Sequence, residues 1–409
     1  MNKFLALMLA GAIAPCAMAT GFDGSGMAGD DKIVIPDSTG FKFTDVITIK
    51  TTPVKDQNKS GTCWSFSGIS FLEDEILGKT GEEVDLSEMF VVRHCYDAKA
   101  DRYVRMHGQT PLAAGGSILD VPWVWQTFGI VPEEAYTGLN YGEDKHVHGE
   151  LDAGLKGYLD AVTQAPNRTV STAWKKGENA ILDAYLGELP ATFTVGGKTY
   201  TPRSYADRFG LDMNDYMAVS SFTHHPYYES FILEVPDNWI NGRYVNLPLE
   251  EMKQAVDASL AAGHSVLWAA DVSEGGFKWR NGYAVLPKAV NEADLEGTEL
   301  SRWVQLSDSD RKAERYDIKG PVAEETVTAE SRQKGFDNYE TTDDHGMVIV
   351  GTAVDQEGNK YYKVKNSWDT NQLYGGFFYV SEPYFLAKTI SIMLNKNTLP
   401  KEIAKKIMP

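Results

Sequence analysis

Cysteine is scarce in this sequence of 409 residues, which contains only Cys16, Cys63 and Cys95. Three cysteines cannot supply a framework of several disulfide bonds, so the fold must be stable without such cross-links. A chain of this length can bury enough apolar surface to meet that requirement. We therefore expect a fold that is held together by its hydrophobic core.

Basic residues are also few, with 39 Lys and Arg against 57 Asp and Glu and a formal net charge of −18. Proteins that bind nucleic acid or anionic membranes need a basic surface that neutralises phosphates. The charge balance therefore argues against a dedicated partner of either kind. The hydrophobic fraction of 43% and the charged fraction of 23% are typical of a globular protein, long enough for two or three core-sized units.

Long apolar runs are absent except at the start of the chain, so no integral membrane segment is expected. Met1 to Ala19 combines a positive residue, Lys3, with an apolar run and small residues before Thr20. This pattern predicts a signal peptide at residues 1–19 and export to the periplasm or the extracellular space. Lipid anchoring through Cys16 is a minor alternative, because Pro15 is a poor residue before a lipidated cysteine. Cleavage would leave two cysteines.

The most informative stretch is residues 57–66, QNKSGTCWSF, which places Gln57 six residues ahead of Cys63. Apolar residues then recur at helical spacing as far as Gly78, so Cys63 is predicted to start a helix. The unpaired N–H groups and the dipole at a helix N-terminus favour the nucleophilic thiolate. Gln57 can add an N–H donor for an oxyanion. On these residues alone, a buried structural cysteine is an equally good interpretation.

His345 is the histidine with the most informative surroundings. It starts an apolar run to Gly351, a turn follows at residues 356–360, and a second strand leads to Asn366 and Trp368. Such a hairpin brings Asn366 beside His345, where the amide oxygen can fix the imidazole tautomer and Trp368 can exclude water. With Cys63, these residues would form a Cys-His-Asn triad.

These motifs resemble the papain family of cysteine peptidases, and most closely its bleomycin hydrolase and bacterial aminopeptidase C branch. The similar segments are residues 53–66, the glycine pair at 115–116, FGIVPEEAY at 128–136 and the Asn-Ser-Trp motif at 366–368. Ser60 departs from the family, where a cysteine at that position anchors a disulfide. The resemblance implies four catalytic residues and four substrate-binding residues: Cys63, His345, Asn366 and Gln57, and Gly115, Gly116, Trp64 and Trp368.

The resemblance also implies an α+β papain-like fold, with a helical half and a β-rich half on either side of a cleft. His345 follows Cys63 by 282 residues (345 minus 63), whereas compact papain-like enzymes separate these residues by about 130 to 150. Insertions account for the surplus. We expect a helical half at residues 20–138, an insertion at 139–246 and a β-rich half at 247–409, with a charged excursion near 291–334.

The implied function is hydrolysis of peptide amides through a thioester acyl-enzyme, as an aminopeptidase. An endopeptidase or oligopeptidase is the alternative, and a catalytically silent peptide-binding protein is a further one. The chemistry requires no metal or cofactor, and the family resemblance implies a homo-oligomer, a hexamer. Surface or structural roles are expected for the other seven histidines: His94, His107, His146, His148, His224, His225 and His264.

The C-terminal tail bears on the choice between these activities. In the family branch, a C-terminal arm lies in the cleft, where its end holds the free amino group of the substrate. Here the final strands end near Leu394, and residues 395–409 form a tail of fifteen residues (409 minus 394) that predicts one short helix. That tail can reach about 22 Å as a helix or about 50 Å when extended, so reach alone does not exclude the cleft.

Overall fold

The structure is a computed structural model that describes residues 39–407. The predicted signal peptide and the lead-in that follows it lie outside the described residues. The described helices are α1 Cys63–Thr80, α2 Glu88–Arg105, α3 Asp120–Phe128, α4 Gly149–Thr163, α5 Ala173–Leu186, α6 Pro202–Asp207, α7 Leu249–Ala261, α8 Gly297–Trp303, α9 Asp308–Arg315, α10 Ala329–Asp337, α11 Glu382–Lys388 and α12 Lys401–Ile407. No helix among them is both long and apolar enough to cross a membrane.

The described strands form one large sheet and one small hairpin. They are β1 Thr44–Thr48, β2 Phe193–Val195, β3 Lys198–Tyr200, β4 Tyr216–Ser220, β5 Ser230–Ile232, β6 Arg243–Asn246, β7 Val266–Ala270, β8 Phe277–Lys278, β9 Tyr283–Ala284, β10 His345–Val354, β11 Lys360–Lys365, β12 Phe377–Ser381 and β13 Thr389–Asn395. The order in the large sheet is β5-β6-β4-β13-β7-β10-β11-β12-β9-β8, and β1 pairs with β10.

The central strands of the large sheet are buried on both faces. In β7, Leu267 and Ala269 belong to one hydrophobic core, which also contains the apolar residues of α1 and α2. Val266 and Trp268 alternate with them and belong to a second core, beneath α7 and α11. This alternation follows the two-residue period of a strand. The sheet therefore separates two cores, and the helical half packs on one face only.

The helix that starts at Cys63 forms as predicted, but it ends later than expected. It continues through Gly78 to Thr80, and Gly81 follows in the left-handed region with φ of 74°, donating its N–H to the carbonyl of Leu77. Glycine is favoured there because it has no Cβ to clash. The next helix, α2, begins after Ser87, whose hydroxyl accepts from the N–H of Phe90 at 3.0 Å.

The insertion does not form a separate layer, and the expected boundary at residue 246 falls within the large sheet. The strands β4, β5 and β6 lie inside residues 139–246, and β4 pairs with β13 near the end of the chain. Helices α4 and α5 of the insertion pack against α2, so the insertion contributes to both halves. Such long-range pairing carries no local signal in the sequence.

Candidate active site

Cys63 is the first residue of α1 and is half-buried. The start of α1 packs against the start of β10, where Gly346 follows His345. A Cβ on Gly346 would lie 3.4 Å from the carbonyl oxygen of Cys63 and 2.6 Å from the hydroxyl of Ser67. The absence of a side chain at Gly346 therefore allows the strand with the histidine to lie directly against the helix with the thiol.

His345 and Asn366 are joined by a hydrogen bond. Nε2 of His345 lies 2.7 Å from Oδ1 of Asn366, and the N–H of Ser367 donates to the same oxygen at 2.8 Å. Because that oxygen can only accept, Nε2 must carry the proton, and Nδ1 is the basic nitrogen of the neutral ring. Trp368 stacks on the imidazole with ring centroids 4.4 Å apart. The predicted hairpin of β10 and β11 brings these residues together.

Gln57 is attached to the same segment by two hydrogen bonds. Its N–H donates to the carbonyl of Ser367 at 2.8 Å, and the hydroxyl of Ser367 donates to its Oε1 at 2.7 Å. Both side chains are buried. Because the amide oxygen is held by Ser367, the NH₂ group of Gln57 remains available as a donor.

A pocket beside Cys63 encloses about 330 Å³, part of it open to solvent. Cys63 and His345 both line it, so the structure places the thiol and the imidazole at one cavity. The other lining residues are Trp64, Gly116, Ser117, Ile118, Asp237, Tyr244, Ala269, Asp343, Asp344, Gly346 and Ser391.

The glycine pair is approached by side chains of the protein itself. A Cβ on Gly115 would lie 2.3 Å from a carboxylate oxygen of Asp237, and one on Gly116 would lie 2.7 Å from the ring of Trp64. Trp64 is 2% exposed, and its indole N–H donates to the carbonyl of Ala114 at 2.9 Å. Trp64 therefore supports the glycine loop and offers little surface to a substrate.

Burial opposes a net charge on either member of the Cys63–His345 pair. It raises the pKa of the Cys63 thiol to about 12, although the N–H groups of Gly346 and Trp64 lower it. It lowers the pKa of His345 to about 4, although the hydrogen bond to Asn366 raises it. The N–H of Trp64, at the start of the helix, thus lowers the pKa of Cys63 as expected, but burial raises that pKa by more. Between about pH 4 and pH 12 the pair holds one transferable proton.

Three residues at this site were not anticipated from the sequence: Asp237, Asp343 and Ser367. Asp237 and Asp343 line the pocket, and both carboxylates raise the pKa of Cys63. Asp343 lies two residues before His345, and Ser367 follows Asn366, so proximity to a motif could have indicated both. Asp237 lies in the insertion between β5 and β6, and no local pattern around it points to the cleft.

The remaining predictions concern Cys95, the histidines and metals. Cys95 is fully buried in the helical core, as expected for a structural thiol. Within residues 39–407, a group that could hold a divalent cation is formed by His224, His225 and Glu234, whose ligand atoms lie within 4.8 Å of one another. Glu234 accepts from both rings, at 3.2 and 2.7 Å. None of these three residues lines the pocket beside Cys63.

Comparisons with known proteins agree with this architecture. The model of the papain family of cysteine proteases matches residues 41–191, and that of the Peptidase C1-like family matches residues 196–287 and 297–408. Aminopeptidase C of Lactobacillus delbrueckii subsp. lactis is 26% identical over 405 residues, which cover 88% of this chain and 83% of that protein. Aminopeptidase C of Lactococcus lactis subsp. cremoris is 23% identical over 390 residues, with coverage of 86% and 82%.

A solved structure shows the same fold. PepW from Lactobacillus rhamnosis HN001 superposes with a TM-score of 0.66 at 19% identity, over 89% of this chain and 84% of that one. The two family models lie in succession along the chain, the relatives match most of its length, and the expected α+β architecture is confirmed. The chain therefore belongs to the papain superfamily of cysteine peptidases, in the branch that includes aminopeptidase C.

Proposed function

We propose that this chain is an aminopeptidase that hydrolyses the first peptide bond of its substrate through a thioester acyl-enzyme. The observation that carries this proposal is the hydrogen bond between Nε2 of His345 and Oδ1 of Asn366. It leaves Nδ1 as the proton acceptor of a buried imidazole, and that imidazole lines the same pocket as the Cys63 thiol. A nucleophile, a base and a group that orients the base are the elements of a triad.

The reaction then takes two steps. Cys63 gives its proton to His345, the thiolate attacks the carbonyl carbon, and the C–N bond breaks as the imidazolium protonates the leaving amine. Water next attacks the thioester while His345 accepts its proton, and the acid leaves as that proton returns to the Cys63 sulfur. In both steps the NH₂ of Gln57 and the N–H of Cys63 are the donors for the oxyanion.

Two observations favour the removal of N-terminal residues over internal cleavage. The relatives that match most of this chain are named aminopeptidases. In addition, the carboxylate of Asp237 lies against Gly115. A longer peptide that ran along the glycine pair would meet this side chain, so the insertion restricts the cleft on that side.

A direct test compares short peptides of one sequence with free and with acetylated N-termini, followed by product analysis. An aminopeptidase releases the first residue from the free peptide and leaves the acetylated one intact. Internal fragments from both peptides would instead identify an endopeptidase. The absence of products from either would identify a peptide-binding protein without activity.

One observation favours the endopeptidase alternative. Helix α12 does not line the pocket; it packs with α7 through Ile403, and Lys406 binds Glu251 at 2.6 Å. Residues 401–407 therefore do not supply the arm that limits the family branch to aminopeptidase activity. An aminopeptidase of this design needs another group that recognises the substrate's amino terminus.

We further propose that the protein is exported and assembles as a homo-oligomer. The support for export is the signal-peptide pattern of residues 1–19, and the support for assembly is the resemblance to the family branch. Mass spectrometry of protein from its host should find a chain that starts at Thr20. An intact Met1 or a lipidated Cys16 would contradict export by this route. Light scattering would measure the assembly, with a hexamer expected.

A further inference from the structure

Two carboxylates line the pocket without a partner for their charge. Asp237 and Asp343 are both half-buried beside Cys63 and His345. Across residues 39–407, neither carboxylate accepts a hydrogen bond, and no lysine, arginine or histidine nitrogen lies within 4.0 Å of either one. Carboxylates removed from water are normally paired, because an isolated charge in such a position is costly. This pair is therefore suited to a cationic ligand that enters the pocket.

The nearby charged groups are already engaged elsewhere. Lys99 lowers the pKa of Asp237, but its ammonium donates to the carbonyls of Ala113 and Gly115 and, among residues 39–407, forms no ion pair within 4.0 Å. Asp344 accepts from the Thr342 hydroxyl at 2.7 Å and from the N–H of Val272 at 3.3 Å. Among the acidic side chains that line this pocket in the described part of the chain, Asp237 and Asp343 are thus the ones without such contacts.

We propose that Asp237 and Asp343 bind the protonated α-amino group of the substrate. This assignment rests on the aminopeptidase function proposed above, and it names the group that replaces a C-terminal arm. The insertion supplies one carboxylate, and the segment before His345 supplies the other. The class of ligand is a peptide or aminoacyl amide with a free, protonated N-terminus.

Covalent geometry places that ammonium group within the same pocket as the thiol. The amino nitrogen of a first residue is two bonds from the carbonyl carbon that Cys63 attacks, which is about 2.5 Å. The attacking sulfur approaches that carbon to about 3 to 3.5 Å. The ammonium therefore lies within about 6 Å of the Cys63 sulfur. A lysine or arginine side chain one residue further along a peptide would carry its charge well beyond this range.

The backbone segments that carry the two carboxylates are held in place by neighbouring residues. Next to Asp237, the amide of Asn238 donates to the carbonyls of Leu233 and Gly242 at 2.9 and 3.0 Å. Trp239 donates to Asp120 at 2.7 Å, which fixes the loop to the start of α3. The contacts of Asp344 hold the segment that carries Asp343. A site whose charges are positioned before binding loses less entropy when the substrate arrives.

The electrostatics of the pocket agree with this role. Burial raises the pKa of Asp343 well above its usual range, and the charge of Asp237 raises it further. Two carboxylates that share a site resist ionisation together, and a cation between them reverses that effect. A bound ammonium would also offset the influence of both carboxylates on Cys63, which favours the thiolate when substrate is present.

The test compares two substrates that differ only in the charged group: an alanyl amide and the propionyl amide that lacks the amino nitrogen. The smaller propionyl group cannot be rejected by steric clash. Wild-type protein should prefer the alanyl substrate in kcat/KM. Asp237→Asn and Asp343→Asn should each reduce that preference by about 10- to 100-fold, as expected for the loss of a charged hydrogen bond.

Two controls separate recognition from damage to the fold. Asp308→Asn, on the exposed first turn of α9, changes the net charge equally and should keep the full preference. Alkylation of Cys63 by iodoacetamide should persist in Asp237→Asn and Asp343→Asn, because the reagent carries no amino group. If one variant loses alkylation, the substrate preference of the other variant decides the test. If both variants lose alkylation, the pair has a structural role and the proposal is overturned.

The outcomes also separate this proposal from the proposed function. If wild-type protein cleaves neither substrate, or cleaves acetylated peptides equally well, the aminopeptidase function itself fails. If wild-type protein prefers the alanyl amide and both Asn variants keep that preference, only the role of the carboxylate pair is overturned. If the protein instead cleaves acetylated peptides that contain lysine or arginine in preference to acetylated peptides that lack them, the carboxylate pair binds a basic side chain. That outcome would also overturn the proposal.

Discussion

The hydrogen bond between Ser367 and Gln57 offers a quantitative test of the oxyanion site. Ser367→Ala removes the 2.7 Å bond to Oε1 but leaves the 2.8 Å backbone bond that holds the main chain of Gln57. Only rotation of the Gln57 amide is therefore released. A buried bond between neutral groups contributes about 1 kcal/mol net, so kcat should fall about 5-fold. Gln57→Ala removes the donor itself and should lower kcat about 100- to 1,000-fold.

Steady-state kinetics of a double-mutant cycle would check this reasoning. The oxyanion exists only after attack, so KM should change little in either variant. In the Gln57→Ala background, Ser367→Ala should have no further effect on kcat, because no amide remains to be oriented. An equal loss from Ser367→Ala in both backgrounds would show that Ser367 acts independently of Gln57 and would refute the argument.

Four further predictions concern the nucleophile, the base, the pH dependence of thiol alkylation and the tail. Cys63→Ala should abolish turnover, while Cys95→Ala, in the core, should leave turnover largely intact in a peptide assay; equal loss in both would contradict the choice of nucleophile. His345→Ala should lower kcat about 1,000-fold, and Asn366→Ala should lower it less, since orientation is easier to replace than proton transfer; the reverse order would contradict their roles. Because burial raises the pKa of the Cys63 thiol to about 12, the rate of iodoacetamide inactivation should still rise with pH between pH 6 and pH 9 as the thiolate fraction grows; a rate that levels off above a midpoint near 8.5 would indicate a thiol with an ordinary pKa and contradict this reasoning. Deletion of residues 401–409 removes a buried isoleucine and should lower the free energy of unfolding, measured in urea, by about 2 kcal/mol. The ratio of cleavage of free to acetylated peptides should stay unchanged, since α12 does not line the pocket. A changed ratio would give the tail a role in the cleft.

Local motifs were sufficient to predict the hydrogen-bonded centre of the site. The hairpin that carries His345 and Asn366 follows from two apolar strands around a turn, and the helix start at Cys63 follows from apolar spacing. Both signals lie within a few residues of the side chains concerned.

The parts that were not predicted depend on contacts between distant segments. Asp237 reaches Gly115 across more than one hundred residues of sequence, and nothing in its own neighbourhood marks it as part of a cleft. The pKa of Cys63 depends on how deeply the cleft is buried, which a helix N-terminus alone does not determine. The pairing of β4 with β13 joins the insertion to the last strand of the sheet. Composition could not show that the insertion contributes strands to the large sheet.

The pairing of β4 with β13 has a consequence for any shortened form of this protein. Removal of the insertion would leave the β13 backbone groups that face β4, from Ile392 to Asn395, without partners. A newly exposed sheet edge of this kind is a template for pairing with another chain. The buried apolar side chains of β13 would flank it. The insertion therefore protects the sheet against aggregation, and a minimal papain-sized version of this chain would self-associate through that edge.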